Sequence, residues 1–204
     1  MKNKFIVFEW LDGSGKDTQL NKSIEYLKNL DKYAQIWITR EPTWSTPSWR
    51  EIARKLKWEW FKTWYEALNL YVQDRIEQTE IRKQMIKHSY IFSSRFDYST
   101  FAYQVAQWLT FDEVYKAHDY NKILLPDITF IFDVNRENIE KRLKNRWWEK
   151  EFFEELDFLD KVRANYLETY EKLKNERNIY LIDANWTIEE TFLQVKNILN
   201  KEII

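Results

Sequence analysis

The segment FEWLDGSGKDTQ, residues 8–19, constrains the fold of this chain more than any other feature. It joins an apolar run at residues 4–9 to an amphipathic run that begins at Lys16. Gly13, Gly15 and Lys16 fit the pattern G-x-x-x-x-G-K-[ST], in which backbone N–H groups surround phosphate oxygens and the lysine reaches the terminal phosphates. A helix that begins at Lys16 would also direct the positive end of its dipole at the anion. The segment therefore predicts a strand, a phosphate-binding loop and a helix in succession.

Two residues of this loop depart from the pattern. Trp10 stands where the first glycine is expected, and an indole would crowd the sharp backbone turn at that position. Asp17 stands where the pattern has a Ser or Thr hydroxyl that binds Mg²⁺. Either Thr18 or the Asp17 carboxylate is left as the ligand, since both present oxygen atoms, and the sequence does not choose between them.

The composition offers an explanation for the first departure. Average usage of about 7% would place roughly 14 glycines in a chain of this length, whereas the 204 residues include two glycines and eleven tryptophans. We therefore hypothesise that the tryptophans are misread glycines, from a source that reads the codon UGA as glycine. The alternative is a real aromatic-rich protein.

The positions of the tryptophans favour misreading. Trp44 and Trp186 lie among turn-forming residues, and the tryptophan pair at residues 147–148 interrupts a strongly polar run. Glycine is typical of such places, whereas aromatic rings favour buried packing. Trp37, in a strand-like run, and Trp64, at a predicted helix start, fit the hypothesis least.

The bulk properties bound the class of protein. A chain of 204 residues without a Pro-, Gly- or Ser-rich linker favours one domain, residues 1–204. Its first ten residues contain too short an apolar run for a signal peptide, and no run is long enough to span a membrane, so no membrane association is expected. The lack of cysteine excludes disulfides and thiolate metal sites and is compatible with a cytoplasmic location. With 32 basic and 33 acidic residues interspersed, the chain has no basic surface for nucleic acid.

Apolar runs alternate with long amphipathic runs along the chain. Runs rich in isoleucine, valine and phenylalanine predict buried parallel strands at residues 4–9, 34–39, 90–93, 128–134 and 179–183. Helices are predicted at residues 16–30, 48–57, 65–87, 98–120, 135–145, 151–176 and 187–201. The alternation predicts an α/β fold, a doubly wound five-stranded parallel sheet flanked by helices, with ligands at the carboxyl ends of the strands. The charged segment at about residues 141–152 is predicted to be a short lid, hinged at residues 147–148.

Four further motifs follow the loop in order: TREPTWSTP at 39–47, LYVQDRIEQ at 70–78, SSRFDYSTFAYQ at 93–104 and KRLKNRWWEK at 141–150. Together with the loop, they resemble the thymidylate kinase family, P-loop enzymes that phosphorylate dTMP to dTDP with ATP. Glycine restored at Trp10, Trp44 and Trp108 strengthens the likeness. The resemblance implies ATP as the phosphoryl donor, Mg²⁺ as the metal, dTMP as the acceptor and a homodimer.

The resemblance implies catalytic roles for four residues. Lys16 contacts the ATP phosphates, Arg95 clamps the phosphates of donor and acceptor, and Arg146 of the lid stabilises charge in the transition state. Asp12 lies near the metal and the acceptor phosphate, with a turn-forming role as the alternative. The other residues implied to hold ATP are Trp10, Leu11, Gly13, Ser14, Gly15, Asp17, Thr18 and Arg142, and the metal ligands are drawn from Asp12, Asp17 and Thr18. Arg142 is the candidate for adenine stacking, with a solvated helix charge as the alternative.

The acceptor site is implied in the same way. Tyr71 and Arg75, four residues apart on one helical face, are placed to stack on thymine and to donate to a base carbonyl. Without the resemblance, such a pair is more often a core edge and a surface charge. Tyr103 would exclude a 2′-hydroxyl and so favour deoxyribose. The other residues implied to bind the acceptor are Arg40, Glu41, Pro42, Arg95, Ser99, Thr100 and Gln104. For Arg40 and Glu41, a brace for their loop is the alternative.

Departures from the family pattern leave alternatives open. The family has an aspartate before the arginine of its D-R motif, and this chain has Ser94, so that charge is weaker here or comes from elsewhere. His88 and His118 have neither metal-ligand spacing nor a nearby nucleophile, so surface or packing roles are expected. The alternatives to a dTMP kinase are another nucleoside or nucleotide kinase of the same fold, or a catalytically impaired nucleotide-binding protein if Trp10 is genuine.

Overall fold

A five-stranded sheet forms the centre of the computed structural model, which describes residues 2–11, 13–144 and 156–203. The strands are β1 (Phe5–Glu9), β2 (Ile36–Arg40), β3 (Tyr90–Ser94), β4 (Ile128–Asp133) and β5 (Ile179–Asp183). Their spatial order is β2-β3-β1-β4-β5, and every pairing is parallel. All five predicted strands are present, and the predicted α/β fold with a parallel sheet is confirmed.

Helices flank this sheet. Those in the described ranges are α1 (Lys16–Leu30), α2 (Pro47–Arg54), α3 (Trp64–Met85), α4 (Asp97–Ala106), α5 (Phe111–Ala117), α6 (Arg136–Lys144), α7 (Leu156–Leu173) and α8 (Ile188–Ile203). A π-helical turn, Lys55–Glu59, continues α2. α1 packs against α8, and α4 packs against α7. Across the described ranges, no helix combines the length and the apolar character needed to cross a membrane.

The single helix predicted at residues 98–120 is wrong, because two helices, α4 and α5, occupy that stretch. Between them, Trp108 has a φ of 81°, a left-handed conformation that ends a helix. Thr110 then caps α5: its side chain accepts from the Glu113 N–H, and the Glu113 carboxylate accepts from the Thr110 N–H. A glycine-like bend followed by a capping box therefore divides the predicted helix.

Positive φ angles outside glycine fall mostly at tryptophans. In the described part of the chain, the non-glycine residues with positive φ are Trp10 at 151°, Trp60 at 57°, Arg95 at 70° and Trp108 at 81°. A side chain in the left-handed region costs roughly 1–2 kcal/mol, whereas glycine adopts it freely. The rings of Trp60 and Trp108 are 58% and 84% exposed, so little burial offsets that strain.

Trp10 differs from these exposed tryptophans because its ring is fully buried. The indole lies against the ring of Tyr166, with centroids 4.7 Å apart. Among the described residues, the indole Nε1 has no hydrogen-bond partner, which is an energetic cost for a buried donor. The ring therefore lies in the core and does not crowd the phosphate loop as we expected from the sequence. The cost of tryptophan at this position is instead its buried indole N–H, which has no partner among the described residues.

A buried carboxylate at the end of β1 joins the sheet to two helices. Glu9 is fully buried, and its Oε1 accepts from the Phe96 N–H at 2.6 Å. Its Oε2 accepts from the Ser99 hydroxyl at 2.6 Å and from the Tyr166 hydroxyl at 3.2 Å. Burial raises the pKa of Glu9 to about 7, because the charged form loses its hydration. Glu9 thereby holds the start of α4 and the middle of α7 against β1.

We expect Glu9→Gln to change the pH dependence of stability. The pKa of Glu9 is about 7 in the folded protein and near the ordinary 4.5 in the unfolded chain, so only the folded state keeps this proton between those values. The stability from this group is therefore full below about pH 4.5 and lost as the pH rises through 7, a change of about 3 kcal/mol. Glutamine does not titrate and should not show this loss.

Urea unfolding at about pH 5 and about pH 8 measures the effect. The free energy of unfolding of wild type minus that of Glu9→Gln should fall by about 2–3 kcal/mol over this interval. Glu25→Gln, at an exposed position on α1, is the matched control and should show no such change. An equal pH dependence in wild type and Glu9→Gln would contradict the role given to burial.

Candidate active site

The phosphate loop turns between β1 and α1 on two glycines in left-handed conformations. Gly13 has a φ of 84° and Gly15, the N-cap of α1, has a φ of 89°. The Ser14 N–H donates to the Leu11 carbonyl at 3.3 Å and closes the turn. Lys16 is the first residue of α1, and its side chain is buried. The loop thus places the N-terminal end of a helix and a lysine ammonium together, an arrangement that suits an anion.

Asp17 faces a cleft from the first turn of α1, and it is bonded to Ser94 at the end of β3. The Asp17 Oδ1 accepts from the Ser94 hydroxyl at 2.6 Å, and the Asp17 Oδ2 lies 3.4 Å from the Lys16 Nζ. Lys16 and Asp17 both line the cleft, but Thr18 does not. A carboxylate therefore stands where the loop pattern has a hydroxyl, and a hydroxyl stands where the resemblance expects a carboxylate.

Arg142 of α6 is hydrogen-bonded to the phosphate loop. Its Nη1 donates to the Ser14 carbonyl at 3.0 Å, and its Nη2 donates to the Ala184 carbonyl at 2.8 Å. The guanidinium thus joins the phosphate loop to the segment after β5. The adenine-stacking role of Arg142 stays a prediction.

The cleft lies at the carboxyl ends of β2 and β3 and the start of α1. Arg40, the last residue of β2, lines it and is exposed, and its guanidinium lies 5.0 Å from the Trp44 ring centroid. Residues of the cleft that the sequence singled out are Lys16, Asp17, Arg40, Glu41, Pro42, Trp44, Tyr71, Ser94, Arg95 and Tyr103. The loop and three of the four motifs therefore meet at one edge of the sheet.

An apolar pocket adjoins the cleft. The two cavities share Glu41, Pro42, Leu56, Tyr71, Arg95 and Tyr103. The Arg95 guanidinium lies 5.2 Å from the centroid of the Tyr103 ring. The pocket is lined by Glu41, Pro42, Leu56, Trp60, Phe61, Trp64, Ala67, Tyr71, Asp74, Arg75, Arg95, Phe96, Ser99, Thr100, Tyr103, Gln104 and Gln107. Its largely apolar lining with a few polar groups is typical of a site for a small organic ligand.

Arg75 is the most extensively bonded charge in this pocket. Its Nε and Nη2 donate to the Glu41 Oε2 at 2.8 and 2.6 Å, and Nη2 also donates to the Thr100 hydroxyl at 3.1 Å. Its Nη1 lies 2.6 Å from the His118 Nε2. Of the five N–H groups of a guanidinium, one on Nη1 is left without a partner among the described residues. Arg75 is thus pre-oriented and keeps one donor for a ligand.

The pocket also contains an unpaired acceptor and two tyrosine rings. Gln104 is 3% exposed, and its Oε1 has no hydrogen-bond partner in the described ranges. Tyr71 lies in the wall shared with the cleft, and burial raises the pKa of its hydroxyl to about 12, so it stays protonated. The Tyr103 hydroxyl accepts a long hydrogen bond of 3.5 Å from the Arg95 Nη2.

Three residues expected to bind the acceptor are at the pocket but are engaged by other side chains. The Glu41 carboxylate is held by Arg75 and lies 2.8 Å from the Arg82 Nη2, so it pairs with α3 rather than with Arg40. Ser99 donates to Glu9, and Thr100 accepts from Arg75. Glu41 and Thr100 therefore act on the pocket by holding Arg75, and Ser99 acts by holding Glu9.

Sequence reasoning missed residues that support the site from behind. Asp74 accepts from the Thr43 N–H at 2.9 Å and from the Thr43 hydroxyl at 2.6 Å, and also from the Thr46 hydroxyl, so it anchors the loop after β2. Its position directly before Arg75 in LYVQDRIEQ was the available signal. Glu9, a charge at the end of an apolar strand, gave a similar signal, whereas nothing local distinguishes His118.

Some predicted residues lie outside the described ranges. Asp12 and Arg146 are among them, as are residues 145–152 of the predicted lid and the tryptophan pair at 147–148. In the ranges that are described, no group of three or more His, Asp or Glu side chains is arranged to hold a metal ion.

Comparison with known proteins identifies the family. The thymidylate kinase family model matches residues 8–195. The chain is 34% identical to the probable thymidylate kinase of Methanococcus maripaludis, over 93% of this chain and 87% of that relative. It is 36% identical to the thymidylate kinase of Mycoplasma capricolum over 97% and 95% of the two chains, and 31% identical to that of Ureaplasma parvum over 98% and 90%. With its parallel sheet and its phosphate loop, the chain belongs to the thymidylate kinase family.

Proposed function

We propose that this chain transfers the γ-phosphoryl group of ATP to dTMP and so forms dTDP. Its family supports this reaction over another nucleotide kinase or an inactive nucleotide-binding protein. The observation that carries the proposal is the junction at Arg95 and Tyr103 of a polar cleft beside the phosphate loop and an apolar pocket. Phosphoryl transfer depends on such alignment of the two phosphates and on charge stabilisation.

The unpaired groups of the pocket support thymine as the base. Thymine presents a carbonyl acceptor at C4 beside an N–H donor at N3. Arg75 retains one unpaired N–H and Gln104 retains an unpaired oxygen among the described residues, so the pocket offers a donor and an acceptor in complement. Tyr71 and Phe96 supply aromatic surface for the ring. Tyr103, at the junction with the cleft, is placed where the sugar would lie.

On the donor side, Lys16 and the loop at residues 10–18 are proposed to hold the ATP phosphates. Arg142 is proposed to bound the adenine site, because it bonds to the loop and to the segment after β5. Arg95 is proposed to contact the transferring phosphoryl group, since its side chain lines both cavities. Asp12 near the metal and Arg146 in the lid keep the roles that the resemblance implies.

A magnesium site at Asp17 and Ser94 fits the oxygen chemistry of these side chains. Mg²⁺ prefers oxygen ligands and usually binds through one or two protein groups and the substrate phosphates, so no larger acidic cluster is needed. Bound there, the ion would supply positive charge for the phosphates. The Ser94 hydroxyl orients the Asp17 carboxylate at the cleft wall. We therefore propose Asp17, rather than Thr18, as the protein ligand.

A homodimeric assembly and a cytoplasmic location complete the proposal. The homodimer is what the resemblance implies, and the cysteine-free sequence is compatible with the cytoplasm.

Recoding of UGA as glycine is also proposed, and the backbone supports it. Trp10, Trp60 and Trp108 adopt positive φ angles that glycine adopts freely. Trp44 and Trp186 are 68% and 58% exposed, outside the apolar core where tryptophan is stabilising. With glycine at Trp10, the phosphate loop would match its pattern at both glycines and at the lysine.

We expect Arg95→Lys to lower kcat for dTMP phosphorylation by about 100-fold or more. Lysine cannot reproduce the bidentate contact of a guanidinium with phosphoryl oxygens in the transition state. KM for ATP should change less, because Lys16 and the loop still bind the donor phosphates. Arg54→Lys, in an exposed ion pair of α2, is the matched control. A coupled assay of ADP release measures both variants, and folded wild-type protein that makes no dTDP from ATP and dTMP would reject the function.

The exchange of carboxylate and hydroxyl predicts rescue by a double substitution. We expect Asp17→Ser alone to weaken Mn²⁺ binding in the presence of ADP by about 10- to 100-fold, since the site loses its carboxylate. Asp17→Ser combined with Ser94→Asp should recover most of that affinity, because one carboxylate and one hydroxyl again face each other. Electron paramagnetic resonance titration of Mn²⁺ gives the dissociation constants. Asp112→Ser on α5 is the control, and a double variant no better than Asp17→Ser would exclude the pairing.

We expect the eleven tryptophan codons in the coding DNA to be UGA, and mass spectrometry of the native protein to find glycine. In the tryptophan form of the chain, Trp108→Gly should raise the free energy of unfolding by about 1 kcal/mol, because glycine relieves the strain at positive φ. Trp186→Gly, exposed but without positive φ, is the control and should not stabilise. Ordinary tryptophan codons at these positions would end the recoding hypothesis.

A further inference from the structure

His118 is the buried neighbour of the base-binding arginine. It is 4% exposed, and its Nε2 lies 2.6 Å from the Arg75 Nη1. Arg75 lines the apolar pocket, whereas His118 does not. The histidine therefore contacts the guanidinium from outside the pocket wall and cannot act on a ligand directly.

The hydrogen bonds of His118 define which ring nitrogen carries its proton. A guanidinium can only donate, so the Nε2 must accept from Arg75. The Nδ1 lies 2.7 Å from the Val114 carbonyl, which can only accept, so the proton sits on Nδ1. Burial lowers the pKa of His118 to about 4, and this keeps the ring neutral and able to accept at physiological pH.

Aromatic packing fixes the plane of the imidazole. The ring is stacked against Phe101, at a centroid distance of 5.4 Å and an angle of 9°, and against Tyr120, at 5.3 Å and 11°. With its plane fixed by two rings and its tautomer fixed by Val114, His118 presents a lone pair in one direction. That lone pair accepts from one of the two Nη1 N–H groups of Arg75 and leaves the other for a ligand.

We propose that His118 is a positioning residue that sets the base selectivity of the pocket. This inference rests on the proposed function. By accepting one Nη1 N–H of Arg75, His118 leaves the other as a single oriented donor in a wall otherwise closed by Glu41 and Thr100. A base with a carbonyl at the 4-position accepts from that donor, whereas a base with an amino group there meets donor against donor. His118 thus favours a 4-oxo pyrimidine over a 4-amino pyrimidine.

Removal of the acceptor releases only the Nη1 end of the guanidinium. Nε and Nη2 stay bound to Glu41 and Thr100, but one buried Nη1 N–H loses its partner. The planar group can then pivot about its contacts with Glu41 to bring that N–H to another acceptor, and this pivot moves the pocket-facing donor away from the base. Binding of the 4-oxo base weakens, while the phosphate loop and Arg95, which carry the chemistry, keep their places.

The experiment compares His118→Leu, His118→Gln and His88→Leu, the last being an exposed histidine and the matched control. KM and kcat are measured with dTMP and with dCMP, and the dissociation constant of dTMP is measured by calorimetry. For His118→Leu we expect KM and Kd for dTMP to rise about tenfold with kcat within about threefold. The ratio of kcat/KM for dTMP to that for dCMP should fall about tenfold. His118→Gln should recover part of both losses, because its amide oxygen can accept from Arg75.

The outcomes separate the two proposals. Wild-type protein that neither binds dTMP nor forms dTDP would reject the proposed function, and this inference with it. Wild-type protein that is active on dTMP, with a His118→Leu variant that is folded and keeps the wild-type KM and selectivity, would overturn the positioning role alone. A His118→Leu variant that loses thermal stability but keeps selectivity would overturn that role as well, since it would show that the histidine only packs. If His88→Leu changed selectivity as much as His118→Leu, the effect would not depend on Arg75, and the inference would be wrong.

Discussion

One buried carboxylate governs where the phosphate loop lies relative to the rest of the site. Glu9 ends the central strand directly before the loop, and donors from α4 and α7 bind both of its oxygens. Arg95, next to that start of α4, donates its own N–H to the Phe8 carbonyl of β1 at 2.9 Å. The donor loop and Arg95 are therefore attached to the same strand end. Because an uncompensated buried carboxylate is costly, the geometry persists only while its donors stay in place.

A second buried carboxylate, Glu41, holds the acceptor pocket in place. Glu41 follows β2 and pairs with Arg75 and Arg82 of α3, while Asp74 of the same helix holds the segment after β2 through Thr43. Glu41 is hydrogen-bonded to Arg75 and ion-paired with Arg82 before any ligand enters, so the pocket is pre-organised. Because most of its donors are already engaged, Arg75 can discriminate between bases instead of serving only as a positive charge.

The sequence predicted the sheet well because the strand pattern is local, whereas much of the site depends on contacts between distant segments. Apolar runs such as that before Glu9 indicate buried strands directly, and glycines beside Lys16 indicate a phosphate loop. The helix break at Trp108 was missed because a tryptophan there conceals a glycine-like turn. His118 was assigned only a surface or packing role, since its contact with Arg75 joins residues 43 apart in sequence. A side-chain contact between residues so far apart produces no periodic pattern in the sequence.

The two departures in the phosphate loop have different physical origins. At Trp10 the backbone already has the conformation of glycine, and the indole adds only a buried N–H without a partner among the described residues, so the departure is one of side-chain identity on an intact loop. Asp17 is different, because its partner at the end of β3 changes with it: the carboxylate is bonded to the Ser94 hydroxyl at 2.6 Å. One carboxylate and one hydroxyl still face the cleft, in exchanged places. Glycine at position 10 would remove the first departure from the loop pattern and leave Asp17 unchanged. Asp17 is compatible with metal binding if it acts together with Ser94.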